Sequence, residues 1–195
     1  MPEGRVTGPV ESGPVKTVVV IPTYQEGDNI ERLLRELHRV APEVSVLIVD
    51  DNSPDGTGRI AERVAAELGG IEVIHRAGKA GLGAAYRHGF RHALDSGADV
   101  VAQMDADFSH DPEVLPQLIG RVRDGADVAV GSRYVPGGAA DWTWFRRQLS
   151  GWGNGYARAM LRLKMRDATT AFRAYRAPVL EKIDIDGTTA NGYLF

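Results

Sequence analysis

The stretch "TVVVIPTYQEGDNIERLLRELHRVAPEVSVLIVDDNSPDG", residues 17–56, decides the fold class. It opens with a β-branched run, the composition of a strand buried on both faces. A helical pattern follows, in which Ile30, Leu33, Leu34 and Leu37 recur at three and four residues and so share one stripe. Asp28 precedes that stripe and Glu31 stands three residues later, a spacing that predicts a capping box at the helix start. A second apolar run, "VSVLIV", then ends in the adjacent acids Asp50 and Asp51. Two strands separated by one helix and short connections must run parallel, because a crossover helix returns the chain to the starting edge.

The same alternation continues outward. Strands are expected near 17–21, 44–49, 71–75, 99–105 and 127–131, and helices near 28–40, 57–68, 83–96 and 112–124. This predicts an α/β fold of three layers, a mostly parallel central sheet with helices on both faces. With 195 residues the chain reads as one domain over 16–195, after a Gly/Pro/Glu-rich tail, 1–15, expected to be disordered.

Composition narrows the function. The net charge of −3 gives no global attraction to nucleic acid, so none is expected as a partner. Without cysteine there is no disulfide, thiolate metal site or thiol nucleophile. The apolar runs fall far short of the roughly 18 residues of a membrane span, and the first residues do not have a signal-peptide pattern.

In sheets of this class ligands bind beyond the carboxyl ends of the strands. Those ends carry "PTYQE" (22–26), "DDNSPDG" (50–56), "HRAGKAGLG" (75–83), "DADFSH" (105–110) and "GSRYVPGG" (131–138). Asp105 and Asp107 are two apart where a strand is expected to end, so both carboxylates would face one way. A hard divalent cation such as Mg²⁺ or Mn²⁺ takes one or two carboxylates and completes its shell with substrate phosphates. The competing reading is a solvated loop, with Asp111-Pro112 capping the next helix. Of Asp50 and Asp51, at least one is expected to accept hydrogen bonds from a base or ribose, while Asp55-Gly56 marks a turn.

Other motifs carry less. "GKAGLGAAYRHG" fits neither a phosphate loop nor a dinucleotide fingerprint and reads as a turn into a helix. His88 and His92 have zincin spacing without the glutamate, and there is no G-x-S-x-G elbow. Residues 142–166 hold six basic residues, no acid, and aromatic and aliphatic side chains at helical spacing. Such a segment suits an anionic membrane surface or a lipid phosphate, and equally a core-packed helix with a basic outer face.

With these residues placed, the chain resembles the family-2 glycosyltransferases and, within them, the polyprenol (dolichol) phosphate mannose synthases. The stretches that carry the likeness are "VVVIPTYQEGDNI", "LIVDDNSPDGTG", "GLGAAYRHGF", "MDADFSHDPE", "GSRYVPGG", the "WFRRQLS" segment and "DATTAFRAYR". The resemblance implies a GT-A (Rossmann-like) fold, GDP-mannose as donor, a polyprenyl monophosphate as acceptor, and inversion at the anomeric carbon. It places Pro22, Tyr24, Glu26, Val49 and Asp51 against the nucleoside, and Asp105, Ala106 and Asp107 at the diphosphate and metal. Ser109 would help complete the shell of a Mg²⁺ or Mn²⁺ ion. Arg133, Arg146 and Ser150 would hold phosphates, the last two that of the lipid, and Asp107, Arg133 and Arg146 would carry catalysis.

No acidic pair follows the fifth predicted strand, where the base of many such transferases lies. A phosphate monoester is largely ionised near neutral pH, its second pKa being around 6, so this acceptor needs placing rather than deprotonating. The resemblance further implies work at the cytoplasmic membrane face, the inner face of the plasma membrane, with a possible membrane-embedded partner protein. Family members continue through another helix, a strand and a basic loop, so the chain is expected to be C-terminally truncated, and Ala171 stands where they usually have glycine. The alternatives are the same chemistry with glucose or another sugar, a nucleotide-sugar-binding module without turnover, and a Mg²⁺-dependent phosphatase with an aspartate nucleophile.

Overall fold

The computed structural model describes residues 15–131 and 170–183. The strands are β1 (Thr17–Thr23), β2 (Ser45–Asp50), β3 (Ile71–His75), β4 (Val100–Gln103), β5 (Val128–Val130) and β6 (Arg173–Arg176). The helices are α1 (Ile30–Val40), α2 (Thr57–Leu68), α3 (Leu82–Asp95), α4 (Leu115–Arg123), entered through a 3₁₀ turn over Pro112–Val114, and α5 (Ala177–Lys182). The six strands among the described residues lie in the order β3-β2-β1-β4-β6-β5.

β1 pairs in parallel with both β2 and β4, and β2 with β3, as the crossover argument requires. β6 is the departure. It runs antiparallel to β4 on one side and to β5 on the other, so a late segment enters the sheet between two earlier strands. All seven residues of β1 are buried, which explains its unbroken apolar run.

Alternating side chains feed two cores. Val19, Ile21, Ile48 and Ala102 pack against α1, α2 and α4, whereas Val18, Val20, Val49 and Val101 pack against α3 and α5. Because α1 and α2 wind one way from β1 and α3 leads back to its other side, the winding reverses between β1 and β4. That reversal opens a crevice at the carboxyl ends of these two strands.

Two local expectations are corrected. The predicted capping box does not form: α1 begins after Asn29, whose amide donates to Glu26 Oε2 at 2.9 Å. Glu31 instead accepts from Arg35 at 3.0 Å and from Arg63 at 2.6 Å, tying α1 to α2. The backbone N–H groups of Asn29 and Ile30 both donate to the Glu26 carbonyl, so a backbone turn supplies what the cap would have done. The fourth strand stops at Gln103, two residues short of the expected Asp105. The Asp111 cap does form, with Oδ1 accepting the Glu113 N–H at 3.0 Å and Pro112 in the first turn.

Candidate functional site

The crevice is built from the loops after β1, β2, β3 and β4. The first two are stitched together by hydrogen bonds. Gln25 N–H donates to Ser53 Oγ at 3.1 Å, Glu26 N–H to Thr57 Oγ1 at 2.9 Å, and Gly27 N–H to Asp55 Oδ2 at 2.9 Å. The Thr57 hydroxyl and the N–H groups of Gly27 and Thr57 hold the Asp55 carboxyl below its ordinary pKa, since all of them favour the charged form.

Among the described residues three non-glycine residues adopt positive φ: Gln25 at 61°, Asn52 at 55° and Phe108 at 58°. One stands in each loop that follows β1, β2 and β4, and for residues other than Asn the conformation costs roughly 1–2 kcal/mol. Strain of this kind persists where the surrounding contacts over-determine the backbone, and it clusters at ligand sites.

The structure separates the two acids after β2. Asp50 is 2% exposed and accepts from Thr23 Oγ1 at 2.9 Å, Ser53 N–H at 3.0 Å and Ser53 Oγ at 2.6 Å. Its carboxylate is consumed in holding the turn. Asp51 pairs with Arg76 in the loop after β3, at 2.6 Å, with little of either side chain exposed. This pair sits at the mouth of the crevice, one anion beside one cation, and can present an acceptor and a donor side by side to a nucleobase edge.

The acids after β4 are also unlike each other. They were expected to project together from a strand; they lie instead in the turn beyond it, so alternation does not align them. Asp105 turns toward α3, where its Oδ1 accepts the Tyr86 hydroxyl at 2.8 Å. Its own N–H donates to His110 Nδ1 at 3.2 Å, and His110 stacks on Phe172 with centroids 5.0 Å apart. Burial first, and then the Asp105 charge, push the Tyr86 phenol well above its ordinary pKa, so it stays a donor. Asp107 is exposed and accepts the Ser109 N–H at 2.9 Å on one oxygen.

Among the described residues no three His, Asp or Glu side chains gather so that they alone could hold a metal ion. Two carboxylates with oxygens to spare nonetheless fit a hard divalent cation that draws its remaining ligands from phosphates and water. Asp105 and Asp107 would hold it, and Ser109 is exposed in the same turn.

The other sequence-predicted residues divide. Tyr24 and Glu26 stand in the loop after β1, where the Lys79 ammonium lies 4.0 Å from the centroid of the Tyr24 ring. Pro22, Val49 and Ala106 are buried. The side chains of Val49 and Ala106 belong to the two cores. Arg133, Arg146 and Ser150, together with the basic segment 142–166, lie outside the described residues, as does the expected tail up to residue 14. Val15 already packs against the core.

Sequence reasoning missed Arg76, Tyr86 and His110. Each lay inside a stretch singled out above, but a lone Arg, Tyr or His carries no spacing signal. His92, of the weak zincin pair, instead reaches Glu72 at 2.8 Å.

Comparison with known proteins agrees with this architecture. The model for glycosyl transferase family 2 matches residues 18–184. The polyprenol monophosphomannose synthase of Mycolicibacterium smegmatis is 48% identical over 182 residues, covering 92% of this chain and 69% of that protein. The undecaprenyl-phosphate mannosyltransferase of Micrococcus luteus is 47% identical over 182 residues, covering 93% of this chain and 74% of that protein.

Among solved structures, a glucosyl-3-phosphoglycerate synthase from Mycobacterium tuberculosis in complex with Mn²⁺, UDP and glucosyl-3-phosphoglycerate is similar with a TM-score of 0.65 at 20% identity. The match covers 92% of this chain and 61% of that one. A mannosyltransferase from Pyrobaculum calidifontis in complex with GDP-Man and Mn²⁺ gives a TM-score of 0.57 at 18% identity, over 92% of this chain and 50% of that one. These distant likenesses show the fold, the expected GT-A architecture. The sequence matches show the family: the chain belongs to glycosyltransferase family 2.

Proposed function

We propose that this chain transfers mannose from GDP-mannose to a polyprenyl monophosphate, with inversion and with a divalent cation, giving polyprenyl-phosphate mannose. The observation that carries the reading is that the Asp51–Arg76 pair, and the acids Asp105 and Asp107, all stand in loops at the carboxyl ends of the parallel strands. They do so in a chain 47–48% identical to two relatives named for polyprenyl-phosphate mannose chemistry.

In this reading Asp51 and Arg76 meet the guanine edge, and Tyr24 and Glu26 flank the nucleoside. The carboxylates of Asp105 and Asp107 face the diphosphate. A Mg²⁺ or Mn²⁺ ion held there supplies positive charge to the departing nucleotide. Arg133 and Arg146, with Ser150, place the acceptor phosphate, whose ionised oxygen attacks without a protein base. The reaction belongs at a membrane surface, where the lipid acceptor resides. We assign it to the cytoplasmic side, with the chain bound peripherally. No helix among the described residues is long and apolar enough to cross a membrane.

Thermal unfolding with GDP, UDP, ADP and GDP-mannose, each with and without Mn²⁺, tests the donor assignment. Ligand at a hundred times its Kd adds about 2.7 kcal/mol, a rise of roughly 5–10 °C for a chain of this size. A Mn²⁺-dependent rise confined to the guanine nucleotides is expected. A rise with UDP alone would replace the donor, and no rise with any nucleotide in a cooperatively unfolding chain would refute the site.

A further inference from the structure

Asp105 is held by an unusual combination for an acid at the mouth of a crevice. Its side chain is 24% exposed, yet the hydroxyl it touches belongs to one of the most deeply buried side chains of the protein, Tyr86, at 1% exposure. The ring of Tyr86 lies 5.7 Å from Phe90, and Phe90 lies 5.9 Å from Tyr175, so the phenol packs against Phe90, which Tyr175 backs in turn. α3 itself lies close against β1, since a Cβ added at Gly89 would lie 2.3 Å from Val20 Cγ1.

From the other side, His110 Nδ1 accepts the Asp105 N–H, which assigns the ring proton to Nε2. That nitrogen stands 3.9 Å from Asp105 Oδ2, too far for a hydrogen bond but able to limit rotation of the carboxylate. One oxygen is thus fixed by a neutral donor, which leaves the charge of the carboxylate intact while restricting its orientation.

We propose that Tyr86 is a positioning residue: its hydroxyl holds Asp105 by Oδ1 so that the remaining oxygen is turned toward the divalent cation. The proposal rests on the reading of Asp105 and Asp107 as the cation's protein ligands. Groups that orient a metal ligand from behind typically contribute about 10- to 100-fold in metal affinity. A carboxylate without its donor must lose its own rotational freedom on binding, and the affinity falls accordingly.

The test is Mn²⁺ binding to the full chain, followed by the electron paramagnetic resonance signal of free Mn²⁺, with GDP present and absent. Tyr86→Phe keeps the ring and removes the hydroxyl. It is expected to weaken Mn²⁺ binding by about 10- to 100-fold, to raise the KM for Mn²⁺, and to leave kcat at saturating Mn²⁺ close to that of the unchanged chain. Phe90→Leu disturbs the same helix face without touching the hydroxyl, and is expected to keep Mn²⁺ affinity. Equal loss in both variants would mean general loosening of α3 and would overturn the proposal. So would unchanged Mn²⁺ affinity in Tyr86→Phe alongside loss in Asp105→Asn. Unchanged affinity in Asp105→Asn would instead remove the cation reading on which the proposal stands.

Discussion

The same substitution should have opposite effects at two helical glycines. In an open helix, alanine in place of glycine stabilises by up to about 1 kcal/mol, because glycine loses more backbone freedom on folding. Gly120 of α4 is such a position, since nothing lies within 4 Å of where its Cβ would be. Gly120→Ala should therefore raise the melting temperature, by roughly 1–4 °C for a chain of this length.

Gly89 of α3 is not such a position. Its added Cβ would lie 2.3 Å from Val20 Cγ1 and 3.1 Å from Val49 Cγ2, whereas carbon atoms settle about 3.5–4.0 Å apart. α3 must move out by more than about 1 Å, or two valines must leave their rotamers. Valine is stiff at χ1, and both lie in central strands of the sheet.

Overpacking of this kind costs typically 1–3 kcal/mol, which exceeds the gain in helix propensity. A net loss of about 2 kcal/mol lowers the melting temperature by roughly 4–8 °C. Thermal unfolding of the two variants, followed by circular dichroism, gives both signs in one experiment. A Gly89→Ala variant that melts with or above the unchanged chain would refute the close packing of α3 on β1. It would also remove the support for a fixed Tyr86, which lies one helical turn away.

The remaining predictions separate acids that build the site from acids that face the ligand. Asp107→Asn should leave stability within about 0.5 kcal/mol, as an exposed substitution usually does, and should abolish mannosyl transfer in a lipid-phosphate assay. Asp50→Ala should lower stability by about 2–3 kcal/mol, since hydrogen bonds to a charged group contribute roughly 1.5–3 kcal/mol; a urea transition measures it. Asp51→Asn should weaken GDP binding by about 10-fold or more, a loss of the same type, measured by titration calorimetry. Asp55 has its pKa lowered by folding, so its contribution is present above the unfolded value, near 3.9, and is lost as pH falls through the folded one. Asp55→Asn should accordingly flatten the stability–pH curve below about pH 4, as acid titration of the melting temperature would show.

What could be read in the sequence followed from short-range pattern. Four of the five parallel-running strands and the helices between them are recovered closely, because alternation, stripes and turn residues are local signals. β6 was not found. Its four residues, "RAYR", include two arginines, and it pairs with β4, which precedes it by some seventy residues. Nothing local marks such a pairing, since its stability comes from partners rather than from propensity. The capping box failed for a related reason: a backbone turn at Glu26 and the Glu31 pairs with Arg35 and Arg63 compete for the same groups. The rim acids were identified as residues, but their division of labour was not legible. Whether a carboxylate is free depends on what another element brings to it, as Thr23 is brought to Asp50 and Tyr86 to Asp105.

That division gives the two acidic loops a common logic. In each, the earlier acid is turned back into the fold and the later one is placed nearer the crevice. Asp50 takes three protein donors and Asp105 takes a buried phenol; Asp51 faces a single arginine and Asp107 is exposed. Donors on the earlier acid fix its geometry, so its orientation is set by the fold itself. A loop so arranged is ready for a cation or a base edge before either arrives, and the cost of ordering it falls on folding rather than on binding. Phe108, a non-glycine residue at positive φ in the second of these loops, marks where that cost is held.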